Sequence, residues 1–424
     1  MIKKLLVVLM VAYWFATPQV RAIELGDNVT LRGFGTVGLV HSDTRDADFL
    51  PNYIFTAKGV GQTESTAYVT DTKAGLQLDW KAMPRLTLTG QVLSKQAWDN
   101  TYKPELEWAY AKFAITPSLD LRMGRIRPAI YMLSDYLDVN YANTWVRPPP
   151  EFYAVAPITR MEGADLLWRP SFGNVSMLVQ PYFGQTKLDL PGSGNNDYLK
   201  GRRIEGLNLS ASKGDFTMRL GYIQGMLTVR AANLDSGIAG LNFICSTFHD
   251  AGACQEADAL APYDRDASFS SIGGTYDNGD YIVSGELGKR STKMFVSDAT
   301  SWYVTAGKRI EQWTPYITYA SFKNDSAVQF TGGTFAGIPN QLPSTNGIVT
   351  QIMRNNPMDE HTVTLGVRYD VMKNVAIKAQ WDHVATKTKQ GTTGTGKGMF
   401  VGSDTFNNNS NNVDLVSVSV DFVF

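Results

Sequence analysis

The chain has 424 residues, 19% of them charged and 43% hydrophobic, with a formal net charge of −1. So near-neutral a balance gives no basic excess for binding nucleic acid. The mean hydropathy of −0.17 and the lack of any apolar run near the roughly 20 residues of a spanning helix exclude a helical membrane protein.

The one long apolar run, Leu5 to Ala16, follows Lys3 and Lys4 and leads through Pro18 to Val20-Arg21-Ala22. A basic start, an apolar middle and small residues before a cut predict a secretory leader over residues 1–22, cleaved after Ala22. Without Lys3, Lys4 and Arg21 the formal charge of residues 23–424 is −4.

From there, side chains alternate apolar and polar, the period of a half-buried strand. Over 29–40, Leu31, Gly33, Gly35, Val37 and Leu39 oppose Arg32, Phe34 and Thr36. Ala74, Leu76, Leu78 and Trp80 oppose Lys73, Gly75, Gln77 and Asp79. The pattern returns at 175–183, 216–222, 363–369 and 375–382, and it ends in VDLVSVSVDFVF at 413–424. There Val416, Val418, Val420, Phe422 and Phe424 share one face, and Ser417, Ser419 and Asp421 the other.

The connections alternate as well. Short ones fall near 81–85, 116–118, 169–174, 212–215, 277–280, 310–314 and 370–374, several with turn residues such as Asp277-Asn278-Gly279-Asp280. Long polar stretches fall near 41–72, 96–104, 126–157, 184–202, 225–267, 289–300, 323–359 and 385–412, and no long helical pattern is read in them. Short turns at one end and long loops at the other predict an all-β fold, a transmembrane antiparallel β-barrel of about sixteen strands over residues 23–424. Turns would face the periplasm and loops the exterior. Trp80, Trp168, Tyr222, Tyr276, Tyr281, Trp302 and Trp381, at strand ends, fit aromatic girdles at the lipid interfaces. In hydrocarbon an open strand edge is too costly, so the strand reaching Phe424 must pair with the first.

Two blocks, "VTLRGFGTVGLVHSD" from Val29 and "EWAYAKFAITPSLDLRMGRIRPAIYMLSDYLDVNYANTWVRPPPEFY" over 107–153, resemble the Gram-negative general porins of proteobacteria. The resemblance implies an outer-membrane homotrimer among lipid and lipopolysaccharide. It implies a water-filled pore in each barrel, narrowed by the third long loop, for passive diffusion of small hydrophilic solutes. Phe424 resembles the ending read by the barrel-assembly machinery.

Permeation of this kind is set by charges lining a constriction. The third long stretch, 126–157, supplies the candidates Arg127, Asp135, Asp138, Arg147 and Glu151, with Arg125 at its start and Arg122 on the strand before it. Arg32, Arg368 and Lys378 lie on polar strand faces and could form an opposite basic wall. The competing reading is that such charges pair to hold the loop. Pro148, Pro149 and Pro150 would stiffen its return.

Other matches carry no chemistry. Gly33, Gly35 and Gly38 fit G-x-G-x-x-G without a preceding strand or following helix. Gly391 to Lys397 fits a phosphate-loop spacing, but Gly398 stands where a Ser or Thr would hold magnesium. Cys245 and Cys254 in an exported chain predict a loop disulfide worth roughly 2–3 kcal/mol. His249 between them lacks the partners of a metal site, so neither metal nor cofactor is expected. Against the diffusion channel stand a substrate-selective channel of the same architecture, a barrel whose loops bind a partner, and an outer-membrane hydrolase using Asp382-His383. No Ser constellation supports the hydrolase, and enzymatic activity is not expected.

Overall fold

A computed structural model describes residues 22–52, 58–97, 99–190, 197–294, 296–325, 359–387, 398–402, 406 and 409–424. The expected leader, Ala22 apart, and the Gly391–Lys397 match lie outside the described residues.

Sixteen antiparallel strands close into a barrel among the described residues. The first eight are β1 (Val29–Ser42), β2 (Lys73–Met83), β3 (Leu86–Lys95), β4 (Glu105–Thr116), β5 (Leu119–Ile126), β6 (Met161–Trp168), β7 (Val175–Asp189) and β8 (Tyr198–Lys213). The rest are β9 (Phe216–Arg230), β10 (Arg265–Asp277), β11 (Tyr281–Thr292), β12 (Ala299–Lys308), β13 (Trp313–Asn324), β14 (Asp359–Met372), β15 (Val375–Lys387) and β16 (Asn411–Val423). Each pairs with its sequence neighbours, and β16 pairs with β1 from Phe34–Val423 to Ser42–Leu415. Phe424 extends the seam, its amide donating to Gly33 O at 2.8 Å and its carbonyl accepting from Gly33 N at 2.9 Å. The Phe424 ring lies where a Cβ on Gly33 would stand. The glycines of the first strand thus leave room for the aromatic rings of the last.

The alternation turns the barrel inside out relative to a soluble protein. On β9, Phe216, Met218, Leu220 and Tyr222 are exposed outward while Arg219 is buried inside. On β16, Val416 and Val418 face out, and Ser417, Ser419 and Asp421 are fully buried in the lumen. Trp80, Trp168, Tyr281, Trp302 and Trp381 are exposed on the outer wall. Such a surface is stable only against lipid. No described helix is long and apolar enough to cross a membrane.

All seven short connections join strands at one end, and the long loops lie at the other. The fifth long stretch departs from the sequence expectation, for it folds into two helices, α2 (Ala232–Phe248) and α3 (Ala251–Leu260). The Cys245–Cys254 disulfide joins them with an S–S distance of 2.11 Å. Leu234, Leu241, Ile244, Ala253, Ala257 and Leu260 make a small core between them. His249 joins the helices in the left-handed conformation, φ 54°, and Asp250 caps α3 by accepting from Ala253 N. Residues 47–49 of the first loop pair with 400–402 of the eighth across Phe49 and Phe400.

Candidate functional site: a loop folded across the lumen

The third loop, residues 127–160, leaves β5 at Ile126 and rejoins the wall at Met161. Pro128 cannot donate to a ladder, so the chain turns off the wall there. Two 3-10 turns, Ser134–Tyr136 and Asn140–Ala142, and one α-helical turn, α1 (Pro150–Tyr153), carry it across the barrel. Proline at the first position of α1 sacrifices no hydrogen bond.

The loop is fastened along one half of the wall, β9 to β16. Arg219 on β9 donates to Ala129 O at 2.5 Å. Glu286 on β11 accepts from Met132 N at 2.9 Å and from Tyr153 Oη at 2.5 Å. Arg290 donates to Val155 O at 3.2 Å. Trp145 Nε1 donates to Thr305 and Thr318, and Val146 N to Gln380. Beneath these bonds Ile130, Tyr131, Trp145, Phe152 and Val155 pack with Phe269, Tyr303, Tyr316 and Phe322. Edge-to-face aromatic pairs such as Trp145–Tyr303, with centroids 5.8 Å apart, add about 1 kcal/mol each. A loop held this way is part of the rigid structure.

Several of the charges singled out from the sequence belong to this fastening. Lys378 is fully buried, donating to Asn140 O at 2.7 Å and Trp145 O at 2.9 Å and pairing with Asp421 at 2.9 Å. Arg368 donates to Tyr141 O and Asn143 O and lies 4.8 Å over the Tyr141 ring. Both therefore brace the loop from behind, which corrects the expectation of a basic wall facing it. Arg147 bridges Asp71, Asp382 and Ser417. Glu151 accepts a hydrogen bond from Thr362. Its Oε2 is buried with no hydrogen-bond partner among the described residues, and burial pushes its carboxyl up to about 7. A carboxylate so enclosed does not face a passage.

Arg125 is a second correction. Alternation from Met123, which is exposed outward, puts Arg125 on the outer face, paired with Glu162 at 2.6 Å. Arg32 pairs with Asp79 on the inner face toward the turn end and is half exposed.

Beside the loop, toward β2 and β3, a space is left open. A cavity of about 190 Å³ lies there, lined on the loop side by Arg127, Tyr131, Asp138 and Arg147 and on the wall side by Lys73 and Lys95. Arg127 pairs with Asp138 at 2.5 Å and Glu107 at 3.7 Å. Although burial disfavours its charge, Lys95 and Arg127 hold the Asp138 carboxyl well below the usual range. Arg122 pairs with Asp165 at 2.5 Å and lies 5.3 Å over Tyr110. Asp135 stands exposed on the loop. Opposed charges of this kind can orient a passing solute and have no bond-making role.

Lys73, Lys95, Arg219, Glu286 and Arg290 were not singled out in the sequence. The available signal was a charge on the inner face of an otherwise apolar alternation, as Arg219 between Met218 and Leu220. His383 pairs with Asp414 at 2.8 Å at the loop end of the wall, on the same face as Trp381 and away from the loop. No cluster of metal-ligating side chains occurs among the described residues.

A family model described as Gram-negative porin matches residues 6–390. The fold is similar to OmpF of Salmonella typhi in complex with daunomycin, at 14% identity and TM-score 0.53 over 95% of this chain and 100% of that one. It is also similar to the outer membrane channel DcaP of Acinetobacter baumannii, at 9% identity and TM-score 0.53 over 96% and 100% of the two chains. The anion-selective porin of Comamonas acidovorans matches at 13% identity and TM-score 0.50 over 93% and 99%. Among curated protein sequences none matches significantly.

Proposed function

The chain belongs to the Gram-negative porin family, and from that premise we propose a route through it: between the third loop and the wall of β2 and β3. The protein is an outer-membrane channel for passive diffusion of small hydrophilic solutes. One observation supports the route. Most of the loop's bonds and packing are to β9 to β16, and a polar cavity lies between it and β2 and β3. Arg127, Asp138 and Arg147 are the sequence candidates that line this cavity. Arg147 and Glu151 hold the loop in place, and solutes pass the loop without displacing it.

The remaining assignments rest on the family and on sequence pattern. Export proceeds by the leader, with cleavage after Ala22. Three copies assemble into a homotrimer amid lipopolysaccharide, after delivery to the barrel-assembly machinery through the Phe424 strand.

Single-channel recording of the refolded protein in a planar bilayer tests this reading. Long-lived conductance steps that close in thirds at high voltage are expected. A folded, heat-modifiable barrel that gave no steps would sink the channel reading.

A further inference from the structure

Two buried glutamates meet where the third loop touches β14 and the eighth loop comes down on the same strand. Resting on the channel reading above, we propose that Glu151 and Glu360 form a proton-held latch. While protonated they hold the paired strips of the first and eighth loops against the passage, and their ionisation releases those strips.

Glu151 extends from α1 to β14, where it accepts a hydrogen bond from Thr362. Its second carboxyl oxygen is buried with no partner among the described residues. Glu360 is the next residue of β14 on that inner face, about 7 Å along at the rise of a strand. It lies between Phe322 of β13 and Thr386 of β15, on the loop side of the apolar outer band that begins on β14 at Val363. Its Oε1 accepts from Met399 N at 2.9 Å. Gly398, with φ +47°, brings the eighth loop so close that a Cβ on it would overlap that oxygen. Each glutamate is only 2% exposed.

The charged groups packed around the pair do not neutralise it. Arg147 is already matched by Asp71 at 2.8 Å and Asp382 at 2.9 Å. Arg290 donates to Ser297 O and Val155 O and lies over the Phe322 ring. Asp359, His361 and Lys387 point to the outer face by alternation. Two ionised carboxylates enclosed here would repel each other without a cation between them, so the enclosed state favours their neutral forms. Released to water, both ionise. The latched form thus binds protons that the released form gives up, and rising pH favours release.

Main-chain bonds carry the latch to the passage. Met399, whose amide meets Glu360, accepts at its carbonyl from Leu50 N at 2.6 Å. The strips 47–49 and 400–402 pair next to this bond, and Phe49 and Phe400 pack with Val40, Val384 and Leu415 of the wall. Pro51 and Asn52 follow Leu50 directly and line the cavity beside the third loop. Losing the Glu360 contact therefore loosens the segment that holds Pro51 and Asn52 in place, and the passage widens on that side.

The test is amide hydrogen exchange of the purified protein in detergent at pH 5 and pH 8, corrected for intrinsic rates, with single-channel conductance at the same two values. Wild type, Glu360→Gln and the Glu151→Gln/Glu360→Gln pair are compared, each first shown to migrate as a heat-modifiable folded barrel. Glutamine keeps the acceptors for Thr362 and Met399 and removes the titration. In wild type, protection of residues 47–50 and 399–402 is expected to fall about tenfold from pH 5 to pH 8, the effect of one pKa unit, and conductance to rise. The fall should shrink in Glu360→Gln, and the double variant should keep its protection and show no such rise. Protection that wild type retains at pH 8, a fall undiminished in the double variant, or an equal conductance rise in both would each overturn the latch while leaving the channel intact. Absence of conductance in every form would overturn the channel itself.

Discussion

Arg147 and Asp71 face each other through two parallel hydrogen bonds, Nε to Oδ1 at 3.0 Å and Nη2 to Oδ2 at 2.8 Å. The pair ties the tip of the third loop to the end of the first, and the same guanidinium reaches Asp382 on the barrel wall at 2.9 Å. Removing one member of a buried pair leaves the others charged and unpaired, at a cost of about 3–5 kcal/mol. Arg147→Ala is therefore expected to free the loop tip before it unfolds the barrel. Single-channel conductance should rise and fluctuate more, with a lower temperature of heat modification. Steps as quiet and as small as in wild type would show that the aromatic packing alone holds the loop.

Glu151 gives the fastening a pH dependence. Burial raises its carboxyl from an ordinary 4.5 to about 7. The folded protein therefore holds a proton there that the released loop gives up. The stabilisation is fully present below about pH 4.5 and is lost as pH rises through about 7. The span is of order 3 kcal/mol. Wild-type protein in detergent should lose thermal stability between pH 5 and pH 8, and Glu151→Gln should flatten that loss. Equal slopes in the two proteins would locate the titration elsewhere.

The wall was legible because its code is local. Val375 to Trp381 announce an inner and an outer face within seven residues, and Asp277 to Asp280 announce a turn within four. The loop was not legible in the same way. Arg147 finds Asp71 at a sequence separation of 76 and Asp382 at 235, so nothing near Arg147 says whether it lines water or clasps a carboxylate. Lys378 and Arg368 were placed on the correct face. The side of the barrel against which the loop would lean was a tertiary fact, and it changed their role from lining to bracing. The helices of the fifth loop did leave a trace. Leu234, Leu241, Ile244 and Cys245 recur at helical spacing, but Gly237, Gly240 and the polar residues between them diluted the period.

The Cys245–Cys254 bond joins helices whose own core is six buried side chains. Helices this short are marginal in isolation, and closing a loop of about ten residues contributes about 3 kcal/mol in the entropy model. Reduction, or Cys254→Ser, is expected to unravel α2 and α3 while the barrel stays closed. Far-ultraviolet circular dichroism should lose helical signal and retain the sheet signal. Limited proteolysis should then cut between 231 and 264, with conductance preserved. Helical signal that survives reduction would mean that Leu241 and Leu260 suffice without the crosslink.

Gly124 sets where the third loop leaves the wall. Its φ is +130°, a conformation costly for residues with a Cβ, and a Cβ there would overlap the carbonyl oxygen of Ala109 on β4. Two residues later β5 ends and the chain turns into the lumen. Gly124→Val must therefore shift the backbone of β4 or β5, and either shift moves Arg122 and Arg127 relative to each other. The strain alone costs about 1–3 kcal/mol. Folding yield should fall, and the molecules that do fold should show altered conductance even though no charge has changed. Gly173→Val gives the comparison, since Gly173 also has a positive φ, +59°, but nothing lies within 4 Å of an added Cβ. Its loss should be confined to yield. Altered conductance in both variants would mean that strain anywhere in the wall reaches the passage, and Gly124 would lose its particular role in aiming the loop.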